Sequence, residues 1–245
     1  LRQDVQRRQE LEEQLARKVD ERGRKLREAQ EEILNRLAAA AEYRDDDTGR
    51  HVQRVSRLSA RLSSRLGRDE RKTGLLRKAA ALHDVGKVGI PDRILLKEGP
   101  LTDEEYATMK QHTVIGARLL RDGNSDIVRL ARTVALSHHE RWDGEGYPRG
   151  LEGDEIPMAG RIVAVADAFD AMTSDRPYQK SLTAAEAVAL INDMKKVGFD
   201  PEVVEAFNRA YESGEMADVV PSRAASAPAE GERPADPVTA SPDSD

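Results

Sequence analysis

The chain contains no cysteine, which removes disulfides, thiolate metal sites and a cysteine nucleophile together. Aromatic residues make up only 4% of its 245 residues, with a single tryptophan and three phenylalanines, so aliphatic side chains must fill the core. No apolar run approaches the roughly 18 residues that a bilayer span requires, and the first residues lack the apolar centre of a secretion signal. No membrane partner is expected for this segment, and its location is expected to be cytoplasmic. A positive field is missing as well. The formal net charge of −6 and pI near 5.6 argue against indiscriminate binding to nucleic acid or anionic lipid.

What the chain has instead is charge of both signs, 34% of all residues, with a mean hydropathy of −0.66. That composition suits long, surface-decorated helices, and no stretch alternates as a strand would. The fold is expected to be all-α.

Val5, Glu12, Val19, Leu26, Ile33 and Ala40 recur at seven-residue spacing with charges between them, the pattern of a coiled coil. Arg22 and Arg36 interrupt the companion positions and Gly23 weakens the helix, so a single solvated helix is the alternative. Residues 1–40 are a helical connector on either reading, with a homodimer through this helix the expectation. Because Leu1 already lies inside the pattern, a further domain is expected upstream.

Residues 41–213 read as one helical domain. Val52, Val55, Leu58, Leu62 and Leu66 recur near the helical period. A helix over Leu75–Leu82 delivers the pair His83-Asp84, and Gly86, Gly89 and Pro91 then force a loop carrying Lys87. Thr102 and Glu105 form a capping-box pattern opening the helix that carries His112. Asp126 to Ser137 is helical and ends in His138-His139, before a polar loop from Glu140 to Pro157. Met158 to Thr173 is apolar on most sides but interrupted by Asp167 and Asp170. Thr183–Lys195 and Pro201–Tyr211 close the domain, the latter with Asp200 as its cap. Residues 214–245, rich in Pro, Ala, Ser and Glu without a period, read as a disordered tail.

All five histidines, His51, His83, His112, His138 and His139, fall at helix ends or beside polar loops. Adding Asp47, Asp84 and Asp167 gives more donors than one ion accepts, since an octahedral ion takes about six ligands and a catalytic one leaves positions open. Two ions fit better than one. Adjacent helical residues diverge by roughly 100°, so His138 and His139 reach one ion only if the helix unwinds locally, and otherwise serve neighbouring ions. Asp84 can bridge two cations through its two oxygens. Nitrogen and oxygen donors without sulfur suit iron or manganese and tolerate zinc, cobalt or nickel. Paired cations point to hydrolysis of a phosphoester, with Lys87 placed to neutralise a phosphate oxygen.

Three motifs in order carry a resemblance. His83-Asp84-Val85-Gly86-Lys87-Val88-Gly89-Ile90-Pro91-Asp92, the segment from His138-His139-Glu140 to Gly146-Tyr147-Pro148, and Asp167 to Tyr178 resemble the HD-GYP family of cyclic di-GMP phosphodiesterases, within the HD superfamily of metal-dependent phosphohydrolases. The resemblance covers residues 43–207. It implies a helical bundle holding two or three divalent metal ions, iron or manganese. His51, His83, Asp84, His112, His138, His139 and Asp167 match the family's ligands, with Asp84 the bridge. Lys87 matches a phosphate-contacting lysine and Arg176 a ligand-contacting arginine.

The implied reaction opens cyclic di-GMP to pGpG, in some members continuing to GMP. The implied partners include diguanylate cyclase (GGDEF) domains, met through the Gly146-Tyr147-Pro148 loop, where Tyr147 also borders the substrate. Two departures stand out. Asp47 replaces the glutamate of members with three metals, and Gln179 stands where a second basic contact is expected, followed by Lys180. A catalytically weak cyclic di-GMP sensor or docking module is the alternative function.

Overall fold

The computed structural model describes residues 2–42, 50–174 and 181–220. Asp47, Arg176, Gln179, Lys180 and the tail from 221 onward lie outside the described residues. The described chain forms helices α1 (Arg2–Glu42), α2 (Arg50–Arg65), α3 (Glu70–Ala80), α4 (Asp92–Leu95), α5 (Asp103–Leu119), α6 (Asp126–Ser137), α7 (Met158–Thr173), α8 (Ala184–Asp193) and α9 (Pro201–Glu212). Short 3₁₀ turns occupy Val85–Gly89 and Gly153–Glu155. Among the described residues β pairing is limited to isolated bridges between Asp143 and Glu152 and between Lys195 and Phe199. The all-α expectation is borne out. No described helix is long and apolar enough to cross a membrane.

Local chemistry decides where these helices start. Asp69 accepts from the Lys72 amide at 2.8 Å, so α3 begins five residues before the expected Leu75 and ends at Ala80. His83 and Asp84 consequently lie in the turn after the helix rather than on it. Thr102 with Glu105 and Thr183 with Glu186 complete reciprocal capping boxes, each satisfying amides that the first turn would leave unpaired.

The core lies where α7 runs through the bundle. Ile162, Val163, Val165, Ala166 and Phe169 are buried on it, which explains why its sequence is apolar on most sides. Val55, Leu58 and Leu62 bury the predicted face of α2 against α7 and α3. Phe169 meets Phe207 of α9 edge to face at 5.2 Å, a favoured aromatic geometry.

Both ends of the domain reach further than expected. Met216 and Val219 are 1% exposed and belong to the main core cluster, and Arg61 and Arg65 of α2 pair with Asp218 and Glu215. The expected boundary at residue 213 is therefore corrected. The segment lacks a helical period, yet two apolar side chains three residues apart suffice to hold a turn against α2. At the other end Ala38 is buried in the same cluster, Glu31 pairs with Lys78 of α3, and the last turns of α1 rest on the Val85–Gly89 turn. Further out, Leu15, Val19, Leu26 and Ile33 of α1 are exposed.

Candidate metal centre

The functional side chains meet at one end of the bundle although they come from five separate places in the chain. His51 stands in the first turn of α2, His83 and Asp84 follow α3, and His112 lies within α5. His138 and His139 follow the last residue of α6, and Asp167 lies within α7. Their donor atoms form two groups, each with all atoms within 4.8 Å of one another: Asp84, His112, His138 and His139, and His51, His83 and Asp167.

Asp84 stands between the groups. Its Oδ1 lies 3.3 Å from His112 Nε2 and 3.5 Å from His138 Nε2, while Oδ2 lies 3.4 Å from His83 Nε2 and 2.8 Å from Lys87 Nζ. Asp167 Oδ1 lies 3.4 Å from His51 Nε2 and 3.7 Å from His83 Nε2. Donors that share one ion at about 2.0–2.2 Å each stand roughly 3 Å apart, close to these separations.

The buried polar atoms test whether a cation fits. The Nδ1 atoms of His83, His112 and His138 point at the carbonyl oxygens of Ala80, Met109 and Val134 at 2.8, 2.8 and 3.0 Å. A carbonyl accepts only, so each Nδ1 carries the proton and each Nε2 lone pair faces inward. Those three Nε2 atoms and Asp84 Oδ1 are buried without a hydrogen-bond partner among the described residues. Leaving each such group unsatisfied costs about 1–3 kcal/mol. Cations held in the two groups would satisfy them, and the nitrogen and oxygen donors suit a transition metal of intermediate hardness.

Charge balance agrees. Burial would lower the His83 pKa, but the carboxylates of Asp84 and Asp167 outweigh it and push it up to about 9: the space between them favours a cation. Burial would raise Asp84, yet the neighbouring Lys87 and His83, with the imidazoles of His112 and His138 beside it, hold it well below the usual carboxylate range. Burial lowers His138, and burial with the neighbouring imidazoles of His138 and His112 lowers His139 further, which keeps both rings available as neutral donors.

His138 and His139 fall in the same group, the case that requires the helix to end before the pair. The 100° divergence of adjacent residues applies only within a helix, and α6 stops at Ser137. In the following turn the two rings stand 4.1 Å apart at 42°.

Several contributing residues lie outside the predicted ligand set. Asp170 Oδ2 accepts from His51 Nδ1 at 2.7 Å and from Arg54 at 2.9 Å, and Arg54 also meets Oδ1. The hydrogen bonds of His51 and Arg54 outweigh burial and keep Asp170 below its ordinary value. Asp170 thus fixes the His51 ring. Its position three residues after Asp167 hinted at this, whereas nothing local pointed to Arg54.

Glu140, 3% exposed, accepts the amides of Arg149 and Leu151 at 2.9 and 3.0 Å and so ties down the loop that carries Tyr147. Tyr147 stacks on His139 at 4.7 Å and 26°, and burial raises its hydroxyl pKa, so it remains a donor. Glu140→Ala is expected to destabilise the chain by about 1.5–3 kcal/mol, as two backbone amides lose a charged, buried acceptor. A thermal melt checks this, and a melting temperature equal to wild type would count against the tether.

An all-helical bundle that gathers histidines and aspartates from separate helix ends around one buried cluster defines a metal-site helical protein of the HD type. The chain belongs to the HD domain family, whose sequence pattern matches residues 13–203. It is 53% identical over 176 residues to the cyclic di-GMP phosphodiesterase of Thermotoga maritima, covering 72% of this chain and 48% of that protein. It is 44% identical over 184 residues to the cyclic di-GMP phosphodiesterase response regulator RpfG of Xanthomonas campestris, covering 75% and 49%.

The chain thus spans about half the length of these curated relatives. In fold it is similar to the crystal structure of the cyclic GMP-AMP specific phosphodiesterase V-cGAP3 of Vibrio cholerae. There the TM-score is 0.61 at 18% identity, over 80% of this chain and 51% of that one. The HD-GYP protein Bd1817 of Bdellovibrio bacteriovorus gives a TM-score of 0.54 at 27% identity, over 66% and 51%.

Proposed function

We propose that this chain is a metal-dependent phosphodiesterase that hydrolyses cyclic di-GMP to linear pGpG, the step that precedes any release of GMP. The observation that carries this reading is the convergence of the two donor groups on Asp84, with buried lone pairs directed inward. Relatives at 53% and 44% identity named for this activity support the substrate.

In this reading His51, His83 and Asp167 hold one ion and His112, His138 and His139 another, with Asp84 facing both. Two divalent ions, iron or manganese, supply Lewis acidity toward water and the phosphoryl oxygens. Lys87, already 2.8 Å from Asp84, is close enough to the cluster to neutralise a phosphoryl oxygen as the P–O bond to the ribose breaks. Tyr147 covers His139 and offers a hydroxyl donor, while Arg176 and Lys180 are assigned to the substrate phosphates. The activity belongs in the cytoplasm, where it lowers second-messenger levels. The test is turnover of cyclic di-GMP by anaerobically prepared protein loaded with iron or manganese. The expected result is pGpG formation that a chelator stops, and metal-replete protein without turnover would overturn the reading.

Two partners follow. The surface of the Gly146-Tyr147-Pro148 loop is assigned to a GGDEF domain. A second copy of the chain is assigned to α1, where Leu15, Val19, Leu26 and Ile33 are 58–64% exposed at coiled-coil spacing. Leu26→Glu is expected to shift the mass in light scattering from dimer to monomer. A wild-type monomer at high micromolar concentration would refute the dimer.

A further inference from the structure

Next to the donor cluster lies a short run of aromatic and cationic groups whose outer members, Tyr106 and Lys110, the proposed chemistry does not use. His139 stacks on Tyr147, and Tyr147 meets Tyr106 of α5 edge to face at 6.4 Å. Lys110, one turn after Tyr106, places its ammonium 4.4 Å from the Tyr106 ring centre and 5.4 Å from that of Tyr147. In a chain with so few aromatic residues, Tyr106 is nevertheless 46% exposed. Among the described residues Lys110 has no carboxylate partner. A half-exposed aromatic ring beside a buried metal cluster, with an ammonium over one face, is a surface with stacking area and hydrogen-bond donors to offer.

We propose that Tyr106 and Lys110 form a guanine-binding subsite adjoining the His112–His139 group. The proposal rests on the phosphodiesterase reading and adds a base-recognition element to it. Tyrosine faces stack on any base, so Tyr106 supplies grip without choice. Lys110 supplies the choice. An ammonium has only donors, and guanine presents two acceptors side by side, O6 and N7, where adenine presents a donor beside N7. Lys110 therefore favours guanine and faces a donor on adenine. The placement suits a cyclic dinucleotide, because the aromatic run leads from the cluster assigned to the phosphate outward to Tyr106. Both residues sit on a capped, regular helix, so the subsite is held rigidly against the metal end of the bundle.

The test compares wild type with Lys110→Met, Tyr106→Ala and Tyr106→Phe, all metal-loaded. The substrates are cyclic di-GMP, cyclic di-AMP and the base-free diester bis(p-nitrophenyl) phosphate. The ratio of kcat/KM on cyclic di-GMP to that on the base-free diester is expected to fall about tenfold or more in Lys110→Met and Tyr106→Ala, chiefly through KM. Tyr106→Phe, which keeps the ring, is expected to recover the wild-type ratio. Preference for cyclic di-GMP over cyclic di-AMP is expected to narrow in Lys110→Met alone. An equal fall on both diesters, or an unchanged ratio, would overturn the subsite.

A separate arm measures GMP and AMP binding by calorimetry. A wild-type preference for GMP that Lys110→Met abolishes supports the subsite even if cyclic di-GMP is not turned over. Absence of that preference overturns the subsite while leaving the hydrolase reading to its own turnover test.

Discussion

Replacing Asp84 with alanine is expected to abolish turnover by at least about a thousandfold, equivalent to roughly 4 kcal/mol of transition-state stabilisation, and to strip the chain of metal. One oxygen of this carboxylate faces His112 and His138, and the other faces His83 and Lys87. Among the described residues, no other carboxylate of the cluster lies against histidines of both groups. Alanine would leave the Lys87 ammonium without the carboxylate beside it and weaken both proposed ion sites at once. Asp84→Asn keeps the shape but not the charge, and should lose metal nearly as completely.

Elemental analysis of dialysed protein and turnover at saturating cyclic di-GMP read the outcome. A thermal melt separates loss of the site from loss of the fold. Full metal content with turnover within tenfold of wild type would remove Asp84 from its proposed place.

The second large effect is expected at a residue with no side chain. A Cβ added to Gly86 would stand 1.8 Å from the carbonyl oxygen of His112 and 2.4 Å from the amide nitrogen of Gly116. The turn that follows Asp84 therefore lies directly against the backbone of α5, and this approach sets the distance between Asp84 and His112. Gly86→Ala must push backbone from backbone, which no rotamer change relieves. The expected cost is about 3 kcal/mol or more, the upper end of overpacking, or a fall of about 6–12 °C in Tm for a chain of this size. Metal affinity should fall with it as Asp84 moves away from His112. Gly74→Ala is the control, since an added Cβ there meets nothing within 4 Å. A Gly86→Ala melt within about 2 °C of wild type would show that the turn yields.

What could be read from the sequence was local. Thr102 with Glu105, and Asp200 before Pro201, announce helix starts because capping chemistry acts over three or four residues. His83-Asp84 and His138-His139 stood out because polar pairs at the ends of apolar helices are costly without a partner. The sharing of one group by His138 and His139 was legible only through the end of α6 at Ser137, since it depends on the pair lying beyond the helix. Arg54, Tyr106 and Lys110 were silent for a different reason. Each acts on residues more than 30 positions away, and no spacing along the chain encodes that. Met216 and Val219 were missed because a turn buries two side chains without any period.

The packing of α1 has a mechanical side. Forty-one residues of helix, about 60 Å at 1.5 Å per residue, end on the 3₁₀ turn that holds Lys87 and follows Asp84. The rod is braced there by buried Ala38 and by the Glu31–Lys78 pair. A twist or tilt of this rod therefore bears both on the turn beside Asp84 and Lys87 and, through Ala38, on the core built around α7.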